Sequence, residues 1–300
     1  MDDIMTSTTA PPPIETVRPP VGIVGAGVMG RGLAQAVATH GQNVILVDLN
    51  ETILRQAIEQ IARTVRAQTL MGAATGASAA GVVARISLST ELGALAPCDF
   101  VIENVVEKTD AKESVYNLLG RTVAPDTILA ANTSTFPVAE IASFTSHPER
   151  VIGLHFMNPA QTKPFVEVIP GAATAARTLQ RALEFLGSID KTGIVVADAP
   201  GFVSNRVLML TINEAIRTVE ERTAGATDVD RIFVSCFGHA MGPLATADLI
   251  GLDTILMSLE SLRTRLHDPK YQPADLLCRL VAANKLGRKT GQGFFSYGGH

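Results

Sequence analysis

A chain of 300 residues that is 46% hydrophobic and 18% charged is long enough to bury a large core and to form one or two globular domains. Its formal net charge of -4, with no cluster of Lys and Arg, argues against a protein that neutralises nucleic-acid phosphates. Cys98, Cys236 and Cys278 are odd in number and far apart, with neither a CxxC nor a paired-His spacing, so the expectation is no disulfide framework, no metal site and a reducing, cytoplasmic setting.

Residues 1–19 carry Pro, Thr and acidic residues without the basic and apolar regions of a secretory signal, and read as a disordered leader. No run of about 18 apolar residues escapes a charge, Gly or Pro, which argues against a membrane-spanning helix. From Val21 onward, short apolar runs alternate with longer stretches whose apolar residues recur every three or four positions. This is the pattern of βαβ units in a parallel, doubly wound sheet covered on both faces. Strands are expected over 21–24, 44–47, 85–88, 100–103, 128–131 and 151–156, and helices over 29–40, 51–71, 108–119 and 137–144. Residues 72–81, rich in Gly, Ala and Ser, read as a mobile connection. A hairpin-like pair at 166–169 and 194–196 brackets a helix over 174–186, after which Asp198-Ala-Pro-Gly201 punctuates the chain. That segment divides an α/β unit over 20–197 from an all-helical unit over 198–300. In the helical unit Leu208, Ile212, Ala215, Ile216 and Val219 make one apolar stripe, and Leu249, Leu252, Ile255, Leu256 and Leu259 a second.

The first strand runs into Gly25-Ala-Gly27-Val28-Met29-Gly30 and then a helix, the GxGxxG arrangement. Gly25 is expected at the tight turn, Gly27 where backbone meets a pyrophosphate, and Gly30 where the helix packs closely on the sheet. Val28 and Met29 sit at the helix N-terminus, whose unpaired N–H groups and positive dipole end favour an anion. The second strand ends in Asp48, eighteen residues after Gly30, where a carboxylate accepts a hydrogen bond from a ribose 2′-hydroxyl and repels a 2′-phosphate; Leu49 and Asn50 offer no cation. These features predict a Rossmann-type domain binding NAD in preference to NADP. The loop separates a nicotinamide from a flavin only weakly, and a ligand-free tight turn is the other reading of the same residues.

Four further segments place polar residues where strands or helices end: Asn132-Thr-Ser134, Gly153-Leu-His155-Phe-Met-Asn158, Val166-Glu167-Val168 and Pro200-Gly-Phe-Val-Ser-Asn205-Arg206. Together with the glycine loop, MGPLATADLIGLDT at 241–254 and GRKTGQGFF at 287–295, they are seven ordered segments by which residues 20–297 resemble the 3-hydroxyacyl-CoA dehydrogenase family, of the short-chain 3-hydroxybutyryl-CoA type. His155 follows a strand, and Glu167 lies twelve residues later on another, neighbours if the chain doubles back. A carboxylate on one imidazole nitrogen fixes the tautomer and stabilises the imidazolium, leaving the other nitrogen to take a proton. By themselves the two also suit a satisfied core histidine and a strand-edge charge; the resemblance implies a general base, His155, and its partner, Glu167. It further implies that Ser134 and Asn205 hydrogen-bond the substrate oxygen and the surroundings of the base, residues that otherwise read as a strand-end serine and a helix cap. Implied cofactor contacts are Asp48, Glu107, Lys112, Asn132, Asn158 and Lys289, beside Gly25, Gly27, Val28, Met29 and Gly30. Outside the family pattern Glu107 and Lys112 are surface charges at a helix start. Asn205, just beyond the domain boundary, is expected to project into an interdomain cleft whose closure gates the site.

Where the family's CoA-contacting helix usually carries Lys, residues 57–71 hold Arg63 and Arg66 and no Lys. Two arginines three residues apart share a face that suits CoA phosphates, an acidic carrier protein, or solvent. Thr135-Phe136, Gln161-Thr-Lys-Pro-Phe165 and Cys236-Phe-Gly-His239-Ala-Met-Gly242 also depart from the pattern, and are expected to alter pocket walls and not the dyad. The last of these resembles a branch of the family that acts on acyl groups tethered to acyl-carrier protein, oxidising a glyceryl thioester for polyketide extender units. The expected activity is therefore NAD-dependent interconversion of 3-hydroxyacyl and 3-oxoacyl thioesters on CoA. Acyl-carrier protein is the alternative carrier, and a non-catalytic NAD-binding structural protein the alternative class. A free-acid dehydrogenase with a Lys base is disfavoured because Arg206, not Lys, follows Asn205. The resemblance also implies a homodimer through the helical domain.

Overall fold

In the computed structural model residues 18–72 and 77–298 are described. Residues 1–17 of the expected leader and residues 73–76 of the expected connection lie outside them. Eight strands form one sheet: β1 (Val21–Val24), β2 (Val44–Val47), β3 (Ile86–Ser89), β4 (Phe100–Glu103), β5 (Ile128–Ala131), β6 (Val151–Phe156), β7 (Phe165–Ile169) and β8 (Thr192–Val195), in the order β3-β2-β1-β4-β5-β6-β7-β8. From β3 to β6 all pairings are parallel, and the order reverses between β1 and β4, the switch point beside which ligands bind in such sheets.

Strand residues alternate between two cores because successive side chains point to opposite faces. Phe100 and Ile102 of β4 join Val21, Ile23, Val44 and Leu46 on one face, while Val101 joins Val24, Val47 and Leu129 on the other. Helices α1 (Val28–Thr39) and α2 (Glu51–Leu70) cover the first face, and α4 (Thr109–Thr122) and the short α5 (Val138–Ala142) the second. Asn50 starts α2 by accepting hydrogen bonds from the N–H groups of Thr52 and Ile53 at 2.8 and 3.3 Å. Part of the connection expected over 72–81 is ordered instead: Ser78 caps a one-turn helix α3 (Ala79–Val83), and buried Val82 pins it to the core.

The hairpin-like pair expected at 166–169 and 194–196 needs correction. β7 runs antiparallel to β6, so the hairpin is β6–β7. β8 lies parallel to β7, because helix α6 (Ala176–Ser188) carries the chain back along the sheet and such a crossover returns strands in the same direction. Apolar runs do not encode strand direction.

Beyond β8 the chain is helical: α7 (Ser204–Glu220), α8 (Ala226–Phe237), α9 (Pro243–Ile250), α10 (Leu252–Leu266) and α11 (Asp275–Ala282). Ile212, Ala215 and Ile216 of α7 are buried with Leu252, Ile255, Leu259 and Leu262 of α10. Leu249 does not belong to that stripe. Gly251 has φ +108 and breaks the helix after α9, which leaves Leu249 48% exposed. The unit is also not helical throughout. Its tail makes the isolated bridges Gly287–Gln292 and Gln292–Ser296, pinned by the buried Asp248 carboxylate, which accepts from the N–H groups of Phe294 and Phe295 and from the Tyr297 hydroxyl.

Among the described residues no helix is long and apolar enough to cross a membrane, and no group of three or more His, Cys, Asp or Glu could hold a metal ion. All three cysteines are free; burial, assisted by Asp99, pushes the Cys98 thiol up to about 12, so it stays protonated.

Candidate active site

At the carboxyl end of β1 the chain turns through Gly25 at φ +89, a conformation costly for any side chain. A Cβ on Gly30 would stand 1.7 Å from the Gly25 carbonyl oxygen, which is why α1 can begin directly above the turn. A Cβ on Gly27 would meet nothing within 4 Å, so the loop is open there. No side chain caps α1, leaving its first-turn N–H groups free for an anion beside exposed Val28. Asp48, at the end of β2, accepts from the Ala26 N–H at 2.8 Å and from the Asn50 N–H at 3.0 Å. It thus holds the glycine loop as well as offering a carboxylate for a ribose. These features suit a dinucleotide, and Met29 lies half-buried behind them.

His155 and Glu167 are directly opposite residues in the antiparallel β6–β7 register, so their side chains share one face. Both are buried, and His155 Nδ1 lies 2.8 Å from Glu167 Oε2. An ionised carboxylate only accepts, so Nδ1 carries the proton and Nε2 is left as the acceptor. Ser134, just past β5, points its Oγ at that Nε2 from 3.1 Å.

Glu167 is held from the second domain as well. Its Oε1 accepts from the N–H groups of Val203 and Ser204 at 3.0 and 2.9 Å, and its Oε2 from the Ser204 hydroxyl at 2.7 Å. Burial, the largest influence, raises the Glu167 pKa, but the hydrogen bonds from His155 and Ser204 outweigh it and bring the group down to about 2. The dyad therefore contains a carboxylate anion throughout the neutral range.

Glu107 accepts the Ser134 N–H at 2.8 Å through Oε1 and the Thr133 hydroxyl at 3.0 Å through Oε2, which shapes the turn carrying Ser134. Lys112 is not a surface charge: it is fully buried, donating to both Glu103 oxygens at 3.0 Å and lying 3.5 Å from Glu107. Burial keeps the Glu103 pKa raised even against Lys112; by touching both Glu103 and Glu107, Lys112 underpins the Glu107 turn. Asn132 donates to Asn104 Oδ1 at 2.7 Å and accepts the Phe156 N–H at 3.1 Å, tying the ends of β4, β5 and β6 together. Asn205 donates to the Ser134 carbonyl at 3.3 Å, a direct bridge between domains. Asp198 caps α5, accepting from the N–H groups of Val138 and Ala139.

The remaining positions do not join this cluster. Asn158 is exposed beyond β6. Lys289 is bonded to both carboxylate oxygens of Asp253, inside the helical domain. Arg63 and Arg66 are exposed on α2, Arg63 lying 3.9 Å from Glu59. Phe136 is a wall of the domain joint, buried beneath the Arg265 guanidinium, whose centre is 4.8 Å from its ring, while Arg265 also pairs with Glu140 at 3.1 Å. Residues 236–242 span the last turn of α8 and the loop after it, where Phe237 and His239 pack on Phe233.

Sequence reasoning missed Ser204, Asn104 and Glu103. Ser204 had a legible signal, a serine at the start of a helix beside Asn205. Asn104 and Glu103 had none beyond lying at a strand end.

The description "3-hydroxyacyl-CoA dehydrogenase, NAD binding domain" matches residues 20–199, and "3-hydroxyacyl-CoA dehydrogenase, C-terminal domain" matches residues 201–297. A probable 3-hydroxybutyryl-CoA dehydrogenase of Bacillus subtilis is 42% identical over 92% of this chain and 96% of its own length. A 3-hydroxybutyryl-CoA dehydrogenase of Bradyrhizobium diazoefficiens is 38% identical over 93% of this chain and 95% of its own. Among solved structures, the (S)-3-hydroxybutyryl-CoA dehydrogenase of Ralstonia eutropha superposes with a TM-score of 0.88 at 39% identity, covering 94% of this chain and 100% of that one. With both domain descriptions matched in order across a glycine loop and a buried His–Glu pair, the chain belongs to the 3-hydroxyacyl-CoA dehydrogenase family and is an NAD-dependent oxidoreductase.

Proposed function

We propose that the protein interconverts a short 3-hydroxyacyl-CoA and the corresponding 3-oxoacyl-CoA, with His155 as general base and Glu167 as its partner. The observation that carries this reading is the chain Ser134 Oγ, His155 Nε2, His155 Nδ1, Glu167 Oε2, with contacts of 3.1 and 2.8 Å, at the carboxyl edge of the sheet that also ends in the glycine loop. NAD, when bound, supplies the hydride acceptor in oxidation and, reduced, the donor in the reverse direction. In oxidation His155 Nε2 takes the proton of the substrate hydroxyl, and the Glu167 anion balances the imidazolium that forms. Ser134 holds the substrate oxygen toward Nε2. Asn205, bonded to the Ser134 carbonyl, keeps that serine in place from the second domain. In reduction the same imidazolium returns its proton to the 3-oxo oxygen.

Asp48, Glu107, Lys112, Asn132, Asn158 and Lys289 are proposed on the cofactor side with the glycine loop, Lys112 acting through Glu107. Asp48→Ala is expected to raise the NADH dissociation constant about tenfold and to relax discrimination against NADPH, since the carboxylate both binds the ribose and steadies the loop at Ala26. Fluorescence titration with each nucleotide reads this; unmoved affinity would refute the ribose assignment.

Exposed Arg63 and Arg66 on α2 are proposed to meet CoA phosphates. The domain division is proposed within 198–201, between the two matched family domains. A homodimer in the cytoplasm is proposed as well, and exposed Val207, Ile232 and Phe237 supply apolar area for it.

The test is a panel pairing short 3-oxoacyl groups with CoA and with acyl-carrier protein, followed as loss of NADH absorbance. Acetoacetyl-CoA is expected to turn over faster than the carrier-protein thioester. The reverse order would favour the carrier-protein branch. No turnover on either carrier, with NADH still bound tightly, would make the chain a binding protein.

A further inference from the structure

Ser204 is the first residue of α7, yet its hydroxyl belongs to the dyad. Its Oγ lies 2.7 Å from Glu167 Oε2 and 3.4 Å from His155 Nδ1, while that Nδ1 lies 2.8 Å from the same Oε2. The three atoms close a triangle in which one carboxylate oxygen receives both the imidazole N–H and the serine O–H. The other oxygen receives the N–H groups of Val203 and Ser204. Of the four donors on this sheet carboxylate, three therefore come from the start of α7 in the helical domain.

We infer that Ser204 is a positioning residue: its hydroxyl orients Glu167 and shares its charge, and so sets how strongly that carboxylate holds the His155 imidazolium. This rests on the His155–Glu167 reading above. A carboxylate with fewer donors keeps more of its charge for the remaining partner. Without Ser204 the imidazolium would be held more tightly. That suits proton uptake at Nε2 but opposes release, and the dyad has to serve both directions. The serine also makes the dyad dependent on α7, so domain seating and base orientation are one event.

Beside the dyad stands one further carboxylate, Glu107, which bonds the Ser134 N–H and the Thr133 hydroxyl and not the dyad atoms. From β6 the titratable side chain facing Glu167 is His155. From β8 the residue opposite is Ile194. From α7 come the neutral side chains of Ser204 and Asn205, with Arg206 exposed to solvent. Phe202 packs its ring 5.7 Å from that of His155.

The experiment compares Ser204→Ala with the unaltered protein, in both directions across pH, together with thermal melting and NADH titration. Oxidation needs unprotonated His155, so its acid limb is expected to move to higher pH. Reduction needs the imidazolium, so its alkaline limb is expected to move the same way. At neutral pH kcat for oxidation is expected to fall about tenfold, with both KM values within about twofold, the scale of one hydrogen bond to a charged group. Ser204→Thr, which retains the hydroxyl, is expected to restore the limbs. Limbs that stay in place in Ser204→Ala, whatever its melting temperature, overturn the inference, as do limbs that move equally in the threonine variant. His155→Ala separates the two levels. Full activity in that variant sinks the dyad itself, whereas an inactive His155→Ala beside an unaffected Ser204→Ala sinks only the role of Ser204.

Discussion

His155→Ala is expected to lower kcat at least about 10²-fold while leaving NADH affinity nearly unchanged, the usual scale for losing a positioned general base. The reason lies in what the side chain touches. Its two ring nitrogens are committed to Ser134 and Glu167, and among the described residues no hydrogen bond joins it to the glycine loop. Removing the imidazole leaves Glu167 still held by Val203 and Ser204, so the domain joint persists and the fold is not the casualty. Stopped-flow turnover and NADH titration separate the two quantities. A variant with weakened NADH binding and intact turnover would contradict the assigned role.

Gly30→Ala is expected to destabilise the protein by at least about 3 kcal/mol, and to weaken NADH binding at least about tenfold, because overpacking against backbone has no flexible side chain to yield. The added Cβ would lie 1.7 Å from the Gly25 carbonyl oxygen and 2.9 Å from its carbon. Either α1 lifts away from β1 or the Gly25 turn opens, and both misplace the first N–H groups of the helix. Denaturant unfolding and NADH fluorescence measure the two losses. A variant with native stability and affinity would show that the turn has slack the geometry denies.

The contrast with Gly27 is informative. Its missing Cβ would meet only open space, so the fold does not require glycine there. A glycine needed for packing and a glycine left open lie three residues apart in one motif, as the separate duties expected of Gly30 and Gly27 require.

Local features were legible in the residues. The glycine turn, Asp48 at the end of β2 and the apolar runs of β1 to β6 each depend on neighbours within one βαβ unit, where spacing and periodicity are sufficient. The order of an α/β part and a helical part was legible too, because strands alternating with helices give way to helical period alone. Outside the family pattern Lys112 looks like a surface charge, because a helix-start lysine reads as solvated unless the strand-end carboxylate of Glu103 is known to lie beneath it. Leu249 is not part of the stripe because an apolar residue three positions before Leu252 keeps helical period across Gly251, although the backbone turns there.

The amino-acid sequence by itself determined the cofactor fold and the residue types at the site, since both follow from short-range spacing and from segments shared with a known family. Tertiary structure alone decided which side chains meet. The antiparallel register sets His155 opposite Glu167, and the seating of α7 brings Ser204 onto that carboxylate. Such pairings join residues 12, 21 and 37 positions apart through strand direction and domain contact, and neither is written in any local period.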